Sequence, residues 1–263
     1  MTKDDRQKPM RINKNAIIKA FVHLFGMEAY KPGKFPMDFD GEAVATIQAV
    51  SPYTMIKRDR LFALIQAVRY LVKNDVQGAM VECGVWRGGA MGAVALTLKA
   101  QGQTRPMYLF DTFEGMSIPT EEDKTFGGGD AMGEFLEKRT GEESSDWCMA
   151  SLEDVQANLT RLGLDTNDFR FVKGMVEDTI PTEAPSGDIA LLRLDTDWYK
   201  STKHEMDHLF PKLVPGGVLI IDDYGDWEGA RQAVDEYLDN HSIRMLLTRV
   251  DGSVIGIKEA AQT

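Results

Sequence analysis

Four aspartates set the chemistry this chain could perform. Asp195 and Asp197 lie in Leu194-Asp195-Thr196-Asp197-Trp198-Tyr199, and Asp222 and Asp223 lie in Ile220-Ile221-Asp222-Asp223-Tyr224-Gly225. Each run opens with apolar, β-prone residues, so both acid pairs are expected at strand ends. Carboxylates gathered this closely raise one another's pKa unless a cation neutralises them. With no cysteine or histidine cluster beside them, the donors are hard oxygens, which suit Mg²⁺, with Mn²⁺ or Ca²⁺ as alternatives. Such an ion on a substrate hydroxyl lowers its pKa, and a neighbouring carboxylate can take the proton. It also orients a substrate offering two adjacent oxygens, such as a vicinal diol or a catechol-like pair. Spacing alone leaves the division of labour open. The reading adopted is Asp195, Asp222 and Asp223 on the metal and Asp197 as base. His204 and His208 are four apart on a predicted helix but lack a third partner, so they are not read as ligands.

A second group of residues suits a cofactor. In Val81-Glu82-Cys83-Gly84-Val85-Trp86-Arg87-Gly88-Gly89, a strand turns into a helix at Gly84. Glycine there permits positive φ and close approach of a ligand to the strand end. The spacing does not give the G-x-G-x-x-G of dinucleotide sites. Glu82 is an acid where an apolar strand residue would be ordinary, and a carboxylate there can pair with the ammonium of S-adenosylmethionine. Asp111 ends the next strand in Leu109-Phe110-Asp111-Thr112-Phe113-Glu114-Gly115, where an acid can accept both ribose hydroxyls.

The elements that must position these residues alternate. Strands are predicted at 79–83, 107–111, 169–173, 189–195 and 218–222, with helical patterns at 56–73, 90–100, 152–162 and 202–213 between or before them. Two further strands, 244–250 and 253–258, flank Asp251-Gly252, which predicts a hairpin on a type I′ turn. A mostly parallel sheet closed by an antiparallel hairpin, with helices on both faces, is the pattern of class I methyltransferases. Residues 1–55 are expected to form a cap or oligomer segment, including an amphipathic helix at 16–29, and 56–263 a single domain. The long connection 116–150, rich in Gly, Glu, Asp and Ser, is expected to be a lid over the acceptor.

Composition excludes several classes. Thirty basic against 41 acidic residues give a formal charge of −11, unsuited to neutralising nucleic-acid phosphates or anionic membrane surfaces. No run approaches the length of a membrane span. Two cysteines, Cys83 and Cys148, form neither a disulfide framework nor a zinc motif, which fits a reducing cytoplasm. A nucleotide-binding oxidoreductase would need a catalytic Tyr/Lys pair at helical spacing, whereas Tyr199 and Lys200 are adjacent.

With these residues assembled, the chain resembles the macrocin O-methyltransferase family, whose members methylate sugar hydroxyls of natural products. The resemblance runs through Pro52-Tyr53-Thr54-Met55, Glu82–Gly89, Asp111–Gly115, Glu177-Asp178-Thr179, Leu192–Asp197, Pro215-Gly216-Gly217 and Ile221–Gly225. It implies S-adenosylmethionine-dependent O-methylation, a metal at Asp195, Asp222 and Asp223, and a base at Asp197. It further implies cofactor contacts from Thr54, Met55, Glu82, Gly84, Trp86, Asp111, Thr112 and Phe113, with Ser151, Asp178 and Thr179 around the adenine. Animal catechol methyltransferases carry a lysine three residues after the first metal aspartate, where this chain has Trp198, so a lysine base is disfavoured. The implied acceptor is a small molecule, a glycosylated natural product first, then a glycan sugar or a free phenol. A homo-oligomer is expected from the N-terminal segment.

Overall fold

The computed structural model describes residues 35–259 except 126, 130 and 143. The expected helix at 16–29 lies outside the described residues. Chain contacts separate Met1–Asp40 from a compact unit, Gly41–Thr263. That unit begins before the expected boundary at residue 56, because Gly41–Val50 (α1) buries Ala43, Thr46, Ile47 and Val50. Arg58–Lys73 (α2) then leads into the first strand.

Seven strands form one sheet in the order β3-β2-β1-β4-β5-β7-β6. They are Ala79–Cys83 (β1), Met107–Asp111 (β2), Phe169–Lys173 (β3), Ile189–Leu194 (β4), Leu213–Ile221 (β5), Thr248–Val250 (β6) and Ser253–Ile257 (β7). The first five run parallel, and β7 joins β5 and β6 antiparallel. The hairpin is present, but its turn is not type I′: Asp251 has φ 57° while Gly252 is not among the positive-φ glycines. A Cβ at 252 would meet the Arg60 guanidinium and the Asp226 carboxylate, so a side chain there would have to displace that ion pair.

The helices are Gly89–Ala100 (α3), Ala131–Glu137 (α4), Leu152–Arg161 (α5), Val176–Thr179 (α6), Tyr199–His208 (α7) and Glu228–Asn240 (α8). The helix after β4 therefore starts and ends earlier than the predicted 202–213. A short 3₁₀ turn, Phe210–Lys212, follows it and feeds β5. The central strands β1 and β4 are buried throughout, as strands covered on both faces must be. Leu64, Met80, Met91, Leu109 and Leu191 pack on one face. Val81, Phe110, Leu192, Phe210 and Tyr237 pack on the other.

Strand order reverses between β1 and β4, and open α/β sheets bind ligands at such a point, beyond the carboxyl ends. The hydrogen-bond ladder continues one step past the strands there. Gly84 N–H donates to the Phe110 carbonyl, Asp195 N–H to the Cys83 carbonyl and Asp222 N–H to the Leu194 carbonyl, each at 2.9 Å. Gly84, Asp195 and Asp222 are thereby fixed side by side at the reversal.

Candidate active site

Gly84 has φ 81°, and a Cβ on it would fall onto the backbone carbonyl of Asp195. Only glycine lets the β1 tip lie this close to the β4 tip. Two cavities open around this contact. One of about 170 Å³ is lined by Thr54, Met55, Trp86, Arg60, Arg193, Asp195, Asp197, Asp222 and Asp223. The other, about 70 Å³, is lined by Gly84, Asp111, Thr112, Met116, Glu177 and Asp195 among others. The largest hollow, about 710 Å³, lies between the end of α3 and the starts of β2 and β3 and touches none of the predicted site residues.

The four acids divide into three and one. Asp195, Asp197 and Asp223 each offer an oxygen within 4.8 Å of the others. Burial and mutual repulsion push the Asp195 and Asp223 carboxyls well up. Burial raises Asp197 to about 7, against the pull of its hydrogen bond with Asp223. Asp223 Oδ2 is buried without a hydrogen-bond partner, the condition a bound cation would relieve. Asp197 takes φ 66°, a costly conformation for a side-chain-bearing residue that the surrounding loop must enforce.

Asp222 lines the same cavity but is held by side chains from other elements. Its Oδ1 meets Arg193 Nη2 at 2.8 Å and accepts from Ser253 Oγ at 3.0 Å, while Oδ2 accepts from Arg60 Nη1 at 2.8 Å. Burial alone would raise its pKa, but the two guanidiniums hold it below the usual carboxylate range. Each oxygen thus accepts one hydrogen bond, from Ser253 on Oδ1 and from Arg60 on Oδ2, and Asp222 reaches the cavity as an acid neutralised by two guanidiniums.

Arg193 and Arg60 were not signalled as site residues. Arg193 is 3 % exposed and pairs through Nη1 with Glu82 at 2.6 Å and with Asp195 at 2.8 Å. Its cue was a charge inside the apolar run Leu191-Leu192-Arg193-Leu194. Arg60, on α2, also reaches Asp226 at 2.8 Å and Asp251 at 3.3 Å, and nothing in its helix distinguishes it from a surface arginine.

Glu82 stands opposite Arg193 in the β1–β4 register. One oxygen is committed to that guanidinium, and the other is buried without a partner. Burial lifts its carboxyl to about 7 against the attraction of Arg193. The counter-ion of Glu82 here is a side chain of the protein, and Glu82 lines neither cavity. Asp111, which lines the smaller cavity, is likewise engaged by the protein. Its Oδ2 accepts from the N–H groups of Val85 (2.6 Å) and Trp86 (3.0 Å), and its Oδ1 from Phe113 (2.7 Å). It ties the end of β2 to the turn after β1.

Of the remaining predicted contacts, Phe113 is 3 % exposed and packs into the core. Ser151 caps α5 by accepting from the Asp154 N–H. Thr179 donates to the Met175 carbonyl within α6, and neither it nor Asp178 lines either cavity. Glu177, beside them, does line one and has a buried oxygen without a partner.

The segment 116–150 is anchored to the acid loops. Asp123, 2 % exposed, accepts from Tyr199 N–H at 2.7 Å and from Thr120, so it caps α7 directly after Asp197. Trp198 Nε1 donates to the Ser117 carbonyl at 3.0 Å. The rings of Trp147, Trp198 and Trp227 pack together at 4.9 to 6.2 Å. His204 and His208 bind backbone carbonyls of Ile180 and His204, away from the acids.

The Macrocin-O-methyltransferase (TylF) family pattern matches residues 2–258. The chain belongs to this family. It is 37% identical over 202 residues to the 8-demethyl-8-(2,3-dimethoxy-alpha-L-rhamnosyl)-tetracenomycin-C 4'-O-methyltransferase of Streptomyces olivaceus, covering 76% of this chain and 73% of that protein. It is 36% identical over 200 residues to the mycinamicin III 3''-O-methyltransferase of Micromonospora griseorubida, covering 76% and 75%. Among solved structures, the O-methyltransferase NovP superposes with a TM-score of 0.69 at 32% identity, over 79% of this chain and 83% of that one. Like other macrocin O-methyltransferase family members, the protein is an S-adenosylmethionine-dependent O-methyltransferase of class I fold. No described helix is long and apolar enough to cross a membrane.

Proposed function

We propose that this enzyme methylates a hydroxyl on a sugar of a glycosylated natural product, with a divalent cation, Mg²⁺ first, at the strand tips. The observation that carries the metal is the three-carboxylate group Asp195, Asp197 and Asp223 with a partnerless buried oxygen on Asp223. The three grouped donors are all carboxylate oxygens, which suits a hard ion. The sugar acceptor rests on relatives named for methylating a rhamnosyl tetracenomycin, mycinamicin III and, in Streptomyces niveus, demethyldecarbamoylnovobiocin.

In this reading Asp195 and Asp223 would hold the cation with Asp222 beside them, and Asp197, the third member of the cluster, serves the acceptor hydroxyl. When bound, the cation would lower the pKa of an acceptor hydroxyl and offset the clustered negative charge. Asp197 accepts the hydroxyl proton: burial raises the affinity of its carboxyl for a proton, as a general base requires. The donor lies across Gly84, with Thr54, Met55 and Trp86 on its methionine side and Asp111 and Thr112 toward the ribose, as the two cavities flanking Gly84 suggest. Segment 116–125, fixed to Trp198 and Tyr199, walls the acceptor side and keeps water from the sulfonium.

The test is methyl transfer from labelled S-adenosylmethionine to three glycosides: the rhamnosyl tetracenomycin, mycinamicin III and demethyldecarbamoylnovobiocin, each with Mg²⁺ or with EDTA. Transfer to at least one, lost with EDTA and restored by Mg²⁺, supports the reading. Turnover undiminished by chelator removes the metal, and methylation of catechol with none of the glycosides removes the sugar.

A further inference from the structure

Glu205 belongs to α7, a helix that elsewhere carries Lys200, Lys203 and Asp207 toward solvent, yet it is wholly buried. A glutamate is expelled from an interior unless bonds hold it there. Both its oxygens face the Thr196 hydroxyl, at 3.0 and 3.2 Å. The Cys83 thiol lies close to the same carboxylate, pushed up by burial and by the Glu205 charge. Thr196 stands between Asp195 and Asp197, and Cys83 immediately precedes Gly84. One side chain therefore grips both the loop bearing the acids and the strand tip where the donor lies.

The need for a grip is visible in the loop. Asp197 holds the left-handed φ of 66°, and the amides nearby make few bonds: Asp195 to Cys83, Trp198 to Thr196 and Tyr199 to Asp123. None of these fixes the Thr196 side chain.

We infer that Glu205 is a positioning residue, which acts through the Thr196 hydroxyl to hold Asp197 at the reacting hydroxyl and through Cys83 to keep that loop in step with the donor turn. It touches neither donor nor acceptor. Its removal lets the Asp195–Tyr199 loop relax from its strained conformation, and displacement of a reacting group by about an ångström is enough to cost orders of magnitude in rate.

The inference rests on the reading of Asp197 as the base, and the experiment separates the two. Four variants, E205A, E205Q, T196V and E205A/T196V, are compared with wild type and D197N, each saturated with S-adenosylmethionine. The first readout is hydrogen exchange of the Asp195–Tyr199 amides, which requires no acceptor. The second is kcat and KM on whichever of the three glycosides the wild type methylates. Expected are faster loop exchange in E205A and T196V, a kcat about ten-fold or more below wild type, and a donor KM within about three-fold. Glutamine keeps an acceptor for Thr196, so E205Q should stay within about three-fold of wild type on both readouts. The double variant should be no worse than the poorer single one, since both remove the same link.

Should E205A fail to fold, T196V carries the test alone, because valine preserves the shape of threonine. Unchanged loop exchange in T196V overturns the inference, as does a double variant whose losses multiply. Full turnover by D197N removes the base reading instead, and leaves the loop-exchange result standing on its own terms.

Discussion

Replacing Asp197 by asparagine probes the acid cluster directly. In the metal-free protein the Asp197 carboxyl climbs from an ordinary 3.8 to about 7, chiefly because burial disfavours its charge. At about 1.4 kcal/mol for each tenfold step in proton affinity, that climb corresponds to about 4 kcal/mol. The folded state holds this proton more tightly than the unfolded chain. Its contribution to stability is complete below pH 4 and is lost as pH rises through 7. Asparagine cannot ionise and escapes the loss. Burial and mutual repulsion raise the Asp195 and Asp223 carboxyls as well, so about 4 kcal/mol is the ceiling for one site. For a domain of this size it corresponds to a melting temperature difference of up to roughly 10 °C. The assay is thermal unfolding of wild type and D197N in EDTA from pH 4.5 to 8.5. The curves should coincide at the acid end and diverge upward, with the variant the more stable at pH 8. Excess Mg²⁺ should then raise the wild type more than the variant. Parallel curves across the whole range would refute the idea that crowded, desolvated carboxylates burden the apo site.

Mg²⁺ affinity itself should strengthen as pH rises through 7, because the ion must displace protons from these acids; calorimetry in two buffers would count the protons released, and a pH-independent affinity would contradict the ligand assignment. Asp222→Ala takes one buried partner from each of Arg193 and Arg60, which keep Glu82, Asp195, Asp226 and Asp251, and should cost about 1.5–3 kcal/mol of stability in urea unfolding; a loss below about 0.5 kcal/mol would show that the network is dispensable. Gly84→Ala forces a Cβ into the Asp195 carbonyl at positive φ, so S-adenosylmethionine affinity should fall by more than about 100-fold in calorimetry, at a stability cost of about 2–3 kcal/mol. Near-normal donor affinity in that variant would place the donor elsewhere.

Patterns that depend on chain-local periodicity were readable before any coordinates. The parallel strands, the terminal hairpin and the acids at strand ends follow from alternating apolar runs, and the structure places all of them. What the sequence could not reveal depends on partners distant along the chain. Asp222 looked like a ligand equal to Asp195 and Asp223, because nothing local shows that Arg60, 162 residues away, and Ser253, 31 residues away, converge on it. Glu82 and Asp111 looked free for the donor for the same reason, yet a strand neighbour and a neighbouring turn already engage them. Glu205 resembled any exposed helix residue, since the turn that buries it is set by where β4 ends. The helix after β4 was placed too late because Tyr199 and Lys200 gave no apolar cue, whereas its start is fixed by Asp123 accepting from the Tyr199 amide.

The antiparallel return of β7 carries a consequence for how the enzyme comes into being. Asp195, Asp197, Asp222 and Asp223 are all translated well before Ser253, the hydroxyl that steadies Asp222, and before Asp251, which anchors Arg60. Until β7 has paired with β5, the flank of β5 stays open and the acids stay unbraced. Maturation of the catalytic pocket is thereby tied to docking of a hairpin distant from it along the chain.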